Sequence, residues 1–233
     1  EHMAQGMAIL TELMGERRPL RVVDVGAGTG RLTLPFALRG WEVTAVDCSA
    51  RMLQQLRQRY ERAPAAARLE LVCATVEDFL AHAAGDFDLF AFSSVLHHLP
   101  DPVDVVSRCL QRLRIGGCIY ITQEPLPAPR PRPIAEVIVQ ALDEVARTPQ
   151  QLYRQVYRRL HRLPLARAGE LVDVHVARGI DLPALEGALT AAGVQRHRFV
   201  AYADRKTALV AWLDDHLFFS PRRCFRYIGQ KVG

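Results

Sequence analysis

Three closely spaced glycines follow a short apolar segment near the start of the chain. They are Gly26, Gly28 and Gly30, and the segment before them, RVVDV, has the composition of a buried strand. A glycine turn between a strand and a helix lets the backbone bend tightly, and it lets a ligand approach amide N–H groups that a Cβ would block. The pattern predicts a nucleotide site at this turn and leaves the nucleotide open.

The spacing of the glycines bears on which nucleotide binds. Dinucleotide sites use GxGxxG, in which the third glycine allows the helix to pack closely on the strand. Here the spacing is GxGxG, and Arg31 stands where a dinucleotide site has its third glycine. This disfavours NAD. A sharp structural turn that holds no ligand is an equal alternative for the glycines taken alone.

A carboxylate ends the second predicted strand. Asp47 lies 21 residues after Gly26, where it could accept hydrogen bonds from both hydroxyls of an unphosphorylated ribose. This geometry fits NAD and other nucleosides alike. The competing interpretation is that Asp47 caps the next helix, but Ser49 is already suited to that role.

The alternation of strand-like and helix-like segments predicts a doubly wound α/β fold with a mostly parallel, seven-stranded sheet. The predicted strands are 21–25, 42–47, 69–74, 87–93, 118–123, 198–203 and 224–230. The predicted helices are 29–39, 49–62, 76–82, one opening at Asp101 and Pro102, 181–192 and 207–217. The first three residues are set aside, and no element is assigned before the first strand.

Residues 124–178 interrupt this alternation. They begin with a proline-rich stretch and continue with apolar residues at helical spacing, which predicts a helical insert, or lid, within a single domain of residues 1–233. Six arginines and no acidic residue lie between positions 147 and 167. A solvated helix face explains such a run, and so does a basic lid that attracts an anionic acceptor. The candidate acceptor contacts there are Tyr153, Arg154, Tyr157 and Arg158.

The composition is that of a globular protein. The chain has 233 residues, 49% of them hydrophobic, and a formal net charge of +5. No apolar run approaches the roughly 20 residues that span a bilayer, so we expect a cytoplasmic location. The five cysteines are scattered without a metal-ligand spacing, so neither disulfides nor a metal site is predicted.

Five motifs occur together in a recognisable order. They are VVDVGAGTGRL, VTAVDCSARML, VCATVEDF, FDLFAFSSVLHHLPDP and LRIGGCIYI, spread over about residues 20–122. In order and spacing they resemble the class I S-adenosylmethionine-dependent methyltransferases, especially the small-molecule branch that includes ubiquinone-pathway enzymes. The resemblance implies a Rossmann-like methyltransferase fold with antiparallel last strands, and S-adenosyl-L-methionine as the cofactor.

The resemblance also implies roles for individual residues. Gly26, Ala27 and Gly28 would lie along the methionine and sugar of the cofactor, Asp24 would help to position its ammonium group, and Asp47 would hold the ribose. Cys48 and Met52 would lie near the adenine face, Val76 would offer a backbone N–H to the ring, and Ser93 a carbonyl to the methionine amine. Thr75 stands where the family usually has an acidic acceptor for the adenine amine, so Glu77, Asp78 or water would take over that contact.

Two positions beyond the strand ends are candidates for removing a proton from the acceptor. They are the pair His97 and His98 after the fourth strand, of which His97 is preferred, and Glu124 after the fifth. A purely structural role for both histidines is an equally strong interpretation, and many methyl transfers need no base.

The acceptor is predicted to be a small molecule. The loop after the fourth strand lacks the NPPY or DPPY turn associated with methylation of base amines, which disfavours a nucleic-acid partner. Three alternatives remain open: an NAD-dependent oxidoreductase, an aminopropyltransferase-like enzyme, and a non-catalytic subunit that activates a partner. A homodimer also remains open.

Overall fold

The computed structural model describes residues 2–15, 19–63, 67–126, 180–203 and 223–232. Six helices are seen in this part of the chain: α1 His2–Met14, α2 Thr33–Leu38, α3 Ala50–Glu61, α4 Val76–His82, α5 Pro102–Gln111 and α6 Leu182–Ala191. A short 3₁₀ turn covers Leu96–His98. The strands are β1 Arg21–Val25, β2 Glu42–Asp47, β3 Leu69–Cys73, β4 Phe87–Ser93, β5 Leu113–Pro125, β6 Val194–Ala203 and β7 Arg223–Lys231.

These strands form one seven-stranded sheet in the order β3-β2-β1-β4-β5-β7-β6. The pairs among β1 to β5 are parallel, while β7 runs antiparallel to both β5 and β6. The chain runs outward from β1 to β3 and then returns to place β4 on the other side of β1. This reversal opens a crevice at the carboxyl ends of β1 and β4, where ligands bind in doubly wound folds. The predicted fold class is confirmed.

Helices cover both faces of the sheet, as the buried strands require. Along β1, Val23 and Val25 face the core under α4, α5 and α6, whereas Val22 faces the core under α1 and α2. A third, smaller cluster joins α3 to β2 through Leu53, Leu56 and Ala45.

Helix α1 was missed by the sequence analysis. Its apolar residues Met7, Leu10 and Met14 recur at helical spacing and are buried against the sheet. Gly6 lies directly on the sheet, since a Cβ there would stand 2.5 Å from the Tyr120 hydroxyl. The N-terminal helix is therefore part of the core.

Several boundaries differ from the predictions; β5 begins five residues earlier than predicted and β6 four residues earlier, at Leu113 and Val194. Helix α2 begins at Thr33 and not at residue 29, because Gly30, inside the predicted span, takes a positive φ of 90°, which an α-helix does not accommodate. Strand β5 runs to Pro125, so the first two residues of the predicted insert belong to the sheet. Ile180 N donates to Pro125 O at 3.1 Å, which brings the two ends of the remaining segment together.

Most of that insert, residues 127–179, lies outside the described residues, as does the predicted helix at 207–217. Of the helices that the structure describes, none has the length and apolar character needed to cross a membrane.

The first turn of helix α5 is capped by a side chain, and the energy of this cap can be measured. The Asp101 side chain accepts from Asp104 N at 2.9 Å, and Pro102 occupies the first turn. Replacing Asp101 by alanine should lower the free energy of unfolding by about 1 kcal/mol, because a helix-end amide loses its partner. Asp101→Asn keeps an equally good cap and should stay near the parent protein in a urea titration. Equal losses in both variants would show that the carboxylate charge, and not the cap, stabilises α5.

Candidate functional site

The glycine turn is held by its own amides. Gly26 N and Ala27 N both donate to Val46 O, at 2.8 and 3.1 Å, and Gly28 N donates to Asp47 Oδ2 at 2.8 Å. The expectation that these N–H groups face a ligand is therefore wrong for this structure. The amides instead tie the end of β1 to the end of β2, which fixes the floor of the crevice.

The three glycines serve different purposes. A Cβ on Gly26 would lie 2.2 Å from a methyl of Val95, and one on Gly30 would lie 2.3 Å from a methyl of Leu56, so both positions are required by packing. A Cβ on Gly28 would meet nothing nearer than the Gly26 carbonyl at 4.0 Å. The structural interpretation of the turn thus holds for two glycines, and Gly28 alone leaves open space for a ligand.

Asp47 lies beside that open space. Its Oδ1 accepts from Ser49 N and its Oδ2 from Gly28 N, both at 2.8 Å, and the side chain is half-buried. Ser49 caps α3 by accepting from Met52 N at 3.4 Å, so the competing role of Asp47 as the cap is excluded. Each carboxylate oxygen has two acceptor sites, so Asp47 retains one on each oxygen for hydroxyl donors.

Asp24 lies beneath the turn and is 2% exposed. The Thr33 hydroxyl donates to its Oδ2 at 2.5 Å, which joins the first turn of α2 to β1. Burial raises the pKa of Asp24 from 3.8 to about 7, and the hydrogen bond from Thr33 only partly opposes this effect.

The raised pKa of Asp24 has a consequence for stability. The folded state holds the proton of this carboxyl more tightly than the unfolded state, so its contribution to stability is complete below about pH 4 and is lost as the pH rises through about 7. Asp24→Asn removes this contribution while keeping an acceptor for Thr33. Relative to the parent, the variant should therefore become more stable as the pH rises from about 4 to about 7, as measured by urea midpoints. A pH-independent difference would show that Asp24 stays ionised throughout this range.

The side predicted for adenine is open. Cys48 and Thr75 are exposed, Met52 is 38% exposed, and Val76 is buried at the start of α4. The Thr75 hydroxyl accepts from Asp78 N at 3.1 Å and donates to Asp78 Oδ2 at 2.9 Å. Thr75 thus caps α4. The spacing T-x-x-D is the sequence signal that identifies such a cap.

Strained residues mark the ends of β4 and β5. Ser94 and Gln123 take φ angles of 57° and 61°, which non-glycine residues rarely adopt and which tend to occur at functional sites. Gln123 N donates to the Tyr202 hydroxyl at 3.1 Å, and the Arg31 guanidinium donates to the Gln123 side chain. Sequence reasoning missed Gln123 and Tyr202, since their contact joins β5 to the edge strand β6 across β7 and has no local sequence signal.

The structure joins the two predicted base candidates in one contact. Glu124 is 0% exposed and His97 is 6% exposed, and His97 Nδ1 lies 2.8 Å from Glu124 Oε2. Ser93, the last predicted cofactor contact, has a buried hydroxyl with no hydrogen-bond partner among the described residues. The four predicted acceptor contacts, Tyr153, Arg154, Tyr157 and Arg158, lie outside the described residues.

Comparison with known proteins matches the part of the chain that contains the glycine turn and the loop after β4. The model of the family described as methyltransferase domain matches residues 23–121. The chain is 33% identical over 102 residues to a ubiquinone biosynthesis O-methyltransferase of Aromatoleum aromaticum, and 36% identical over 104 residues to one of Chromobacterium violaceum. Each alignment covers 44% of this chain and 43% of the relative, so the match spans less than half the length of these curated relatives.

A solved structure supports the fold over nearly the whole chain. The magnesium protoporphyrin IX methyltransferase of Synechocystis PCC 6803, crystallised with bound SAH, superimposes with a TM-score of 0.59. The superposition covers 99% of this chain and 84% of that one, at 15% sequence identity.

Proposed function

We propose that this protein transfers a methyl group from S-adenosyl-L-methionine to a small-molecule acceptor. The proposal starts from the family to which residues 23–121 belong, that of the methyltransferase domain. The observation that carries the proposal is the pairing of Gly28 and Asp47. Gly28 leaves open space at the turn, and Asp47 directs toward that space an ionisable carboxylate with spare acceptor sites.

The described residues fit this cofactor. Asp47 would accept from the ribose hydroxyls, and Gly26, Ala27 and Gly28 would line the sugar and the methionine part. A larger set would complete the site: Asp24 near the ammonium group, Cys48 and Met52 on the adenine face, Thr75 and Val76 at the ring edge, and Ser93 near the methionine amine. The buried carboxyl of Asp24 fits a cationic group, because an approaching positive charge favours its ionised form.

The cofactor supplies a methyl group that the positive charge on sulfur already activates. The chain's own residues then have to hold the acceptor in line, exclude water and, for an acceptor that loses a proton, take up that proton. We assign the last task to His97.

An oxygen is the first acceptor atom to test, because both curated relatives are named as O-methyltransferases. An anionic acceptor is favoured by the arginines predicted to lie on the insert, Arg154 and Arg158, and by the net charge of +5. Arg31, exposed at the crevice, adds a cation among the described residues.

Calorimetry with S-adenosyl-L-homocysteine tests the cofactor assignment, with NAD as the matched negative ligand. Binding of the first and not of the second is expected. Binding of NAD alone would overturn the proposal in favour of an oxidoreductase, and binding of neither would favour the non-catalytic alternative.

The acceptor is then sought with methyl-labelled S-adenosyl-L-methionine and two catechol carboxylates, protocatechuate and caffeate. Catechol itself offers the same hydroxyls without the carboxylate. Faster labelling of the two acids than of catechol would support an anionic acceptor, and equal rates would count against it. The cytoplasmic location and the homodimer remain predictions from the sequence.

A further inference from the structure

Glu124 is a buried carboxylate surrounded by donors from a single loop. Its Oε1 accepts from Val95 N at 2.7 Å and from Leu96 N at 3.0 Å. Its Oε2 accepts from His97 N at 3.3 Å and lies 2.8 Å from His97 Nδ1. Four contacts thus connect the end of β5 to the loop after β4, and none of the side chain is exposed.

The bulge before Glu124 makes this arrangement possible. The pairing of β5 with β7 shifts register between Thr122 and Glu124, and Gln123 occupies the bulge with a φ of 61°. An extra residue in a strand turns the following side chain to the other face. Glu124 therefore reaches the 3₁₀ turn at 96–98. In an undistorted strand its side chain would point to the other face of the sheet.

The contact determines which nitrogen of His97 carries a proton. An ionised carboxylate only accepts hydrogen bonds, so the ring nitrogen beside Glu124 has to donate. In the neutral imidazole, Nδ1 then holds the hydrogen and Nε2 keeps a lone pair. Among the described residues no group bonds to Nε2, and 8% of the side chain is exposed.

We infer that Glu124 is a positioning residue for His97, which it holds in the tautomer whose Nε2 accepts the proton of the methyl acceptor. This inference rests on the proposed methyl transfer. The acceptor O–H or N–H bond breaks, its electron pair stays on the acceptor atom, and its proton passes to Nε2. The resulting imidazolium lies beside the Glu124 carboxylate, which stabilises its charge until the proton is released to water.

This role differs from that of Glu124 as the base itself. A base has to reach the acceptor, whereas the Glu124 carboxylate already accepts from three backbone amides and one ring nitrogen inside the protein. It also differs from simple anchoring of the loop, which would not depend on the tautomer of His97.

The test reads the tautomer directly and needs no acceptor. The full chain is labelled with ¹⁵N-histidine, and long-range ¹⁵N–¹H correlation spectra are recorded at a pH where the His97 ring is neutral. The His97 signal is identified among the eight histidines by its loss in His97→Gln. We expect the parent protein to show His97 protonated at Nδ1.

Glu124→Gln is the informative variant. A carboxamide NH₂ placed beside the ring can donate to Nδ1, so we expect most of the His97 signal to shift to the form protonated at Nε2. Glu186→Gln is the matched control, because Glu186 is a partly exposed carboxylate in α6 that pairs with Arg196. It should leave the His97 signal unchanged.

Two results would overturn the inference: a parent protein with His97 protonated at Nε2, or a Glu124→Gln variant that keeps the proton on Nδ1. The first measurement needs no substitution at Glu124, so it decides the question even if Glu124→Gln does not fold. Calorimetry with S-adenosyl-L-homocysteine on the same samples separates the two proposals. If the parent protein does not bind S-adenosyl-L-homocysteine, the proposed function is contradicted. If it binds but shows one of the two overturning tautomer results, only the role of Glu124 is contradicted.

Discussion

Substitution of Gly28 by valine is expected to abolish the binding of S-adenosyl-L-homocysteine while the protein still folds. A Cβ at this position has no neighbour nearer than 4.0 Å, so a larger side chain would extend into the open crevice and not into packed atoms. The nucleoside and the new methyl groups would then compete for the same space. Calorimetry measures the loss of binding, and circular dichroism measures the retained fold.

The same substitution also strains the backbone, and this effect needs its own control. Gly28 has a φ of 53°, a conformation that costs a residue with a Cβ about 1–2 kcal/mol. Gly15 offers a matched control, because it has a φ of 62° and nothing within 4 Å of its Cβ position, and it lies at the end of α1. Gly15→Val should lose similar stability and bind the ligand normally.

The remaining glycines of the turn would not give an interpretable result. Valine at position 26 or 30 would collide with Val95 or Leu56 and disturb the fold itself. Gly28→Val with normal binding would show that the turn has only a structural role, and the proposed cofactor site would then have to be abandoned.

The central strands β1 and β4 were predictable from the sequence because they are buried on both faces. Segments such as 87–93 are therefore nearly continuous apolar runs, with a turn signal at each end. The caps Ser49 and Asp101 were equally readable, since each lies directly before a helix and accepts from an amide three residues later.

What the sequence could not predict depends on contacts between distant segments. The bulge at Gln123 has no local signal, yet it directs Glu124 to a loop 27 residues away. Sequence reasoning placed His97 and Glu124 beyond neighbouring strand ends but could not join them as one unit. The amides of the glycine turn likewise find partners in β2, so their orientation followed from the pairing of two strands and not from the glycine pattern.

Helix α1 was a different kind of omission, because its signal was present. Met7, Leu10 and Met14 are spaced three and four residues apart, as on one face of a helix. The helix covers the face of the sheet that carries Tyr120, so the coverage of that face by the N-terminal residues was missed with it.

Substitution of Asp47 by alanine is the second change with a large expected effect. The carboxylate accepts from Gly28 N and Ser49 N and has one acceptor site left on each oxygen, which suits the two hydroxyls of a ribose. Removing two hydrogen bonds to a charged group should weaken the binding of S-adenosyl-L-homocysteine by about 1–3 kcal/mol, roughly 5- to 150-fold. Calorimetry measures the change.

A ligand that lacks one ribose hydroxyl shows whether this loss arises at the sugar. The parent protein should bind the 2′-deoxy analogue of S-adenosyl-L-homocysteine more weakly than the ribose form, and Asp47→Ala should bind the two forms about equally, because the group that distinguishes them is gone. Ser49→Ala removes the cap of α3 and should lower stability without changing this preference. If Asp47→Ala still discriminates between the two ligands as strongly as the parent protein does, another residue recognises the ribose and Asp47 only orders the glycine turn through its bond to Gly28.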